Sequence, residues 1–120
     1  MRLVLAAALA LTATLPVSAP ARAQDGQALF NAQCKSCHTV TGINSPAGPT
    51  LKGVSGRKIA TAPGYNFSAG LKAKTGTWTD VSLDAYLANP GGFALGGKMF
   101  ARVAQPAART AIIGYLKTLR

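Results

Sequence analysis

The 120-residue chain has no glutamate, and Asp25, Asp80 and Asp84 are its only acids. It has one histidine, His38, one tryptophan, Trp78, and two cysteines, Cys34 and Cys37. Each scarcity excludes something. With two thiols and one imidazole, a structural zinc site lacks its fourth ligand. No stretch sustains the polar–apolar alternation of a strand, which argues against a sheet domain. The βαβ setting of a thioredoxin-like dithiol is therefore missing too. The apolar run Leu3 to Leu15 has thirteen residues, too few to cross a bilayer, so no stable membrane insertion is expected. No motif for nucleic-acid recognition is present.

What the chain does have is Cys34-Lys35-Ser36-Cys37-His38. This C-x-x-C-H run reads as a site of covalent c-type haem attachment. On a helical turn, thiols three residues apart share a face and can add to the two vinyl groups of one haem. The adjacent imidazole then reaches the iron as an axial ligand. One haem c per chain is expected. If both thiols carry thioethers, none remains for the disulfide that an exported protein with two cysteines would otherwise suggest.

The N-terminus reads as a secretory signal. Arg2 begins a short positive region, the apolar run follows, and Ala21-Arg22-Ala23 fits an A-x-A cleavage pattern. A membrane anchor is the weaker reading, because Pro16 and Pro20 stop the run early. The expected division is a signal peptide at 1–23, cleaved near Ala23, and one domain at 24–120, exported to the periplasm. The whole chain carries a formal charge of +10; residues 24–120 hold eleven basic side chains against the three acids, a net +8. Such a surface favours acidic partners and steers them at long range. A chain of this length is marginal if it must build its core from side chains alone, and a buried haem would add apolar surface.

Three helices are legible in the mature region. Asp25 can cap one from about Gly26 to Lys35, with Gly26, Leu29 and Phe30 on one side. A second runs from Asp80 to Asn89, started by Asp80 or Ser82 and ended by Asn89-Pro90. The third, about Ala107 to Leu119, is basic and amphipathic, with Ile112, Tyr115, Leu116 and Leu119 aligned. Thr39 to Pro49 and Gly91 to Met99 read as loops. Loops this long in so short a chain make sense when they wrap a prosthetic group.

Several further segments carry a resemblance. Cys34 to His38, Gly48-Pro49-Thr50-Leu51-Lys52-Gly53, Gly56-Arg57, Pro63-Gly64-Tyr65, Trp78-Thr79, Asn89-Pro90 and Gly97-Lys98-Met99-Phe100 follow in the order and spacing of class I c-type cytochromes. The mature chain resembles the mitochondrial cytochrome c and bacterial cytochrome c2 branch. That resemblance implies an all-α fold of about three to five helices and long loops around one haem. It implies that Pro49 accepts the His38 N–H and that Arg57 and Trp78 meet a buried propionate. Tyr86 would lie against the haem, and the N- and C-terminal helices would cross at Gly26. Met99, the sole methionine after Met1, stands 61 residues beyond His38 and would be the sixth iron ligand. The metal ligands are thus His38 and Met99. The cofactor-binding set is Cys34, Cys37, His38, Pro49, Arg57, Trp78, Tyr86 and Met99.

Two departures from the family pattern stand out. Phe67 occupies a place where relatives carry tyrosine, and Gly97 one where they carry threonine, so two propionate donors are missing. The glycines also predict a Met99 loop that detaches more easily than usual.

The function expected is a soluble, monomeric, periplasmic one-electron carrier, an electron-transfer protein and no enzyme. Its partners would be acidic redox proteins: a donor such as a cytochrome bc1-type complex or a dehydrogenase, and an acceptor such as a terminal oxidase. Lys35, Lys98 and Arg102, with Gln33 and Phe100, are the expected docking residues at the haem edge. The alternative is a haem protein with a labile methionine acting as a peroxidase or gas sensor. The absence of a second histidine or a distal acid weighs against it.

Overall fold

The computed structural model describes residues 13, 15 and 25–120. The expected signal peptide and its cleavage site therefore lie outside the described residues, apart from Ala13 and Leu15. Helix α1 is Gly26–Gln33. The Asp25 carboxylate caps it, accepting from the backbone of Gln27 and Ala28 at 3.0 and 3.2 Å. It stops two residues short of the expected Lys35, because a separate turn begins at Cys34. There the amides of Cys37 and His38 both donate to the Cys34 carbonyl, at 3.1 and 3.0 Å.

Helix α2, Ala69–Lys72, is a single turn not foreseen in the sequence, capped by the Ser68 hydroxyl. Helix α3 is Asp80–Ala88, and its cap is Thr79 rather than Asp80 or Ser82: Thr79 and Ser82 form a reciprocal capping box. Helix α4, Pro90–Phe93, occupies the start of what the sequence suggested was loop. Pro90 suits the first helical position, and the Asn89 side chain accepts from Gly92 N at 3.0 Å. Helix α5 is Pro106–Leu116. Among the described residues there is no strand, only two isolated bridges, Ser45 with Gly48 and Lys58 with Thr77.

The core is centred on the crossing of α1 and α5. Phe30 and Ile112 are fully buried, and the Phe30 and Tyr115 rings lie 5.3 Å apart. A Cβ on Gly26 would run into the Ala111 carbonyl, so only glycine permits this approach. Helix α3 is fastened to α5 by Arg109, whose Nε donates to Asp84 at 2.7 Å. The same guanidinium caps the carbonyls of Val103 and Ala104 at 2.9 and 3.0 Å, which ties the segment after Met99 to the helix pair. Asn44 crosslinks the long loops: it accepts from Thr50 N at 2.9 Å and donates to Pro63 O at 2.8 Å. Near the C-terminus, the Leu119 carbonyl accepts from Gly53 N at 2.6 Å.

Candidate haem site

The helices and loops enclose a cavity of about 540 Å³, lined mainly by apolar side chains. All eight cofactor-binding residues expected from sequence line it: Cys34, Cys37, His38, Pro49, Arg57, Trp78, Tyr86 and Met99. The turn after α1 supplies the thiols and the imidazole. The loop through Gly48 and Pro49 buttresses that imidazole, and α3 supplies Tyr86.

His38 Nδ1 donates to the Pro49 carbonyl at 2.8 Å. A carbonyl can only accept, so this bond places the proton on Nδ1 and leaves Nε2 with its lone pair. Gly48 closes the arrangement from behind: a Cβ there would lie 2.9 Å from His38 Cε1 and 2.8 Å from the Cys37 carbonyl. Burial holds the His38 imidazole below its ordinary value, against an opposing pull from the Pro49 bond. A neutral imidazole is the form that binds a metal. Burial, with Cys37 beside it, pushes the free Cys34 thiol up to about 11.

Arg57 is not the solvated surface charge that an arginine usually is. Its Nη1 donates to the Lys52 carbonyl at 3.0 Å and its Nη2 to the Thr50 carbonyl at 3.2 Å. Its Nε is buried with no partner, and burial lowers its proton affinity. A buried donor on a cation, beside an apolar cavity, fits a carboxylate brought in by a ligand. Trp78 stacks on Phe93 at 5.6 Å, and both rings contact Tyr86, at 5.1 and 5.4 Å. Burial and then Tyr65 raise the Tyr86 phenol above its ordinary value. Tyr65 itself lines the cavity, with Phe67 edge-on to it at 4.9 Å, so it faces the site rather than solvent. The donor set fits a flat apolar macrocycle that has thiol-reactive groups and an anionic edge.

Of the expected docking residues, Gln33, Lys98, Phe100 and Arg102 line the cavity, whereas Lys35 is exposed but outside the lining. The resemblance also implied that the segment from Tyr65 to Ser68 meets the propionate, and Tyr65, Phe67 and Ser68 do line the cavity. Sequence reasoning missed Leu71 of α2, which is buried and lines the cavity as well. A four-residue helix containing glycine gives no periodicity to detect. It also missed the cavity role of Ile112 and Leu116, which were placed only on the apolar face of the last helix.

The cytochrome c family model matches residues 23–120. The chain is 47% identical over 88 residues to cytochrome c2 iso-2 of Magnetospirillum fulvum, covering 72% of this chain and 91% of that one. It is 40% identical over 105 residues to a cytochrome c-type cyt cy of Rhodobacter capsulatus, covering 87% of this chain but 52% of that relative, so it spans about half of the longer protein. The solved structure of cytochrome cH from Methylobacterium extorquens superposes with a TM-score of 0.73 at 42% identity, covering 80% of this chain and 97% of that one. The cavity, its donors and these similarities define one class, the small all-α haem proteins of electron transfer. The chain belongs to the cytochrome c family, and its cofactor is covalently attached haem c.

Proposed function

We propose that this chain is a soluble periplasmic one-electron carrier whose haem is held by Cys34 and Cys37 and ligated by His38 and Met99. The observation that carries the reading is the His38–Pro49 bond at 2.8 Å, with Met99 lining the same cavity. That bond orients the imidazole and leaves its second nitrogen for iron. When bound, the haem would supply a one-electron change at its iron, with His38 and Met99 as the residues that would hold that iron. The protein's part is to bind, orient and exclude water. The thioethers would fix the macrocycle and Arg57 would compensate a propionate, while Trp78 and Tyr86 wall the pocket with Phe93 packed behind them. No side chain acts as acid, base or nucleophile.

Residues 1–23 act in this reading as the export signal, and residues 24–120 form the mature monomer. Partners are acidic redox proteins, a donor such as a cytochrome bc1-type complex or a dehydrogenase and an acceptor such as a terminal oxidase. The charge pattern supports this. Asp25 caps α1, Asp84 pairs with Arg109 and Asp80 pairs with Lys117, so each of the three carboxylates is engaged within the protein. Most of the cations are not so engaged, and they would attract an acidic surface.

The test is the optical spectrum of the periplasmically matured protein, ferric and ferrous, with and without CO. A low-spin c-type spectrum with the weak red sulfur-to-iron band, unchanged by CO, is the expected result. Rapid CO binding or a high-spin ferric form would remove Met99 from the iron and with it the carrier reading.

A further inference from the structure

The segment that carries Met99 has little to hold itself in place. Leu95 is 81% exposed, Gly96 adopts a positive φ of 70°, and Gly97 offers no side chain. Met99 packs against the core, and two contacts join its loop to the same neighbour. Lys98 Nζ donates to the Asn66 carbonyl at 2.5 Å, with its ammonium 5.8 Å from the centre of the Tyr65 ring. The second contact is backbone to backbone. A Cβ on Gly70 would run into the carbonyl oxygen of Leu95, and would come within 3.1 and 3.3 Å of its carbonyl carbon and amide nitrogen.

Glycine is the poorest helix former after proline, yet Gly70 sits in the middle of a one-turn helix. Its φ is not in the left-handed region, so backbone conformation does not call for it. Close approach does. We infer that Gly70 is a positioning residue for Met99: α2 is the seat on which the ligand loop rests, and only a residue without a side chain lets the Leu95 backbone settle there. This rests on the assignment of Met99 as an iron ligand. The seat is itself built on the cavity wall, because Phe67, Ser68 and Leu71 line the cavity and Leu71 is buried. Side chains that contact the haem and backbone that supports the ligand loop therefore belong to one short segment. Anything that lifts α2 loosens Met99 without touching it.

The test uses matured holoprotein carrying Gly70→Ala, with Gly26→Ala as the matched control. Both substitutions push a methyl group into a carbonyl oxygen, but Gly26 does so at the α1–α5 crossing, far along the chain from the ligand loop. Overpacking of this kind shifts an opening equilibrium by about tenfold to a hundredfold. The expected result is that G70A keeps its covalent haem, loses or weakens the sulfur-to-iron band and binds CO about tenfold faster or more. G26A should lower the melting temperature while leaving the band and the CO rate at wild-type values. Lys98→Gln, which removes the ammonium of the other fastening without adding bulk at the seat or a new thioether, should move the CO rate in the same direction. An unchanged band and CO rate in G70A overturn the inference, as does an equal change in G26A. A wild type that lacks the band overturns the ligand assignment and this inference together, and that is read before any variant is made.

Discussion

The carbonyl of Pro49 holds His38 Nδ1 at 2.8 Å, and the residue before that proline, Gly48, has no room for a side chain against the same ring. One dipeptide thus supplies both the hydrogen bond that orients the imidazole and the gap that lets the loop approach it. Gly48→Ala should force the loop back by a few tenths of an ångström and lengthen the Nδ1–carbonyl bond. A destabilisation of about 1–3 kcal/mol is expected, measured by denaturant unfolding of the holoprotein. The reduction potential should change as well, because the imidazole's basicity is set by that bond.

Replacing Arg57 by methionine should leave the Thr50 and Lys52 carbonyls without their donors. The expected cost is about 1–3 kcal/mol. Loss of a fixed cation beside the haem should also favour the ferric state and lower the reduction potential. Equilibrium unfolding and redox titration check the two effects separately. Arg57→Lys should not restore the wild type, since one ammonium cannot span two carbonyls and also present a third donor toward the cavity. A lysine variant identical to wild type in both measurements would remove Arg57 from the site.

The Tyr86 phenol is held above its ordinary value of 10.0 by burial, with Tyr65 adding to it. The folded state therefore favours the protonated phenol. Its contribution to stability is complete below pH 10 and is lost as the pH rises through the folded value. Tyr86→Phe removes this one titration. Urea unfolding across the alkaline range should show the variant declining less steeply than wild type above pH 10. Parallel curves would refute the assignment.

Ala60 is the one non-glycine residue with a positive φ, 59°, among the described residues, and it lines the cavity. A left-handed alanine costs about 1–2 kcal/mol, and glycine there returns part of that as unfolded-state entropy, roughly 0.5–1 kcal/mol. Ala60→Gly should therefore stabilise the holoprotein modestly, by about 0.5–1 kcal/mol. A small rise in melting temperature with an unchanged optical spectrum is the outcome to look for.

The site was more legible in the sequence than the packing that supports it. C-x-x-C-H states its own chemistry, and a single mature methionine leaves little choice of thioether. Helices α1, α3 and α5 show themselves through caps and apolar spacing, with ends displaced by one to three residues where turns and prolines compete. Helices α2 and α4 were not legible, because each is one turn with glycine inside it and the partners that hold it are distant in the chain. The same limit applies to what supports the Met99 loop. Glycines at 96 and 97 do free the backbone, but Lys98 reaching Asn66 and Gly70 lying under Leu95 are contacts between segments that sequence spacing alone does not join.

The crossing of α1 and α5 has a consequence for the order of assembly. Translation delivers α1 and both thiols early, whereas α5, whose Ile112 and Leu116 line the same cavity, comes last. Almost the whole described chain must emerge before Gly26 can meet Ala111. During that interval the cysteines are reachable and the Cys34 thiol is free of the burial that raises it to about 11 once the fold has closed. Thioether formation at Cys34 is therefore easier before the fold has buried that thiol. A chain that folded around an empty cavity first would present its cofactor with one exposed thiol, Cys37, and one half-buried, less reactive thiol, Cys34.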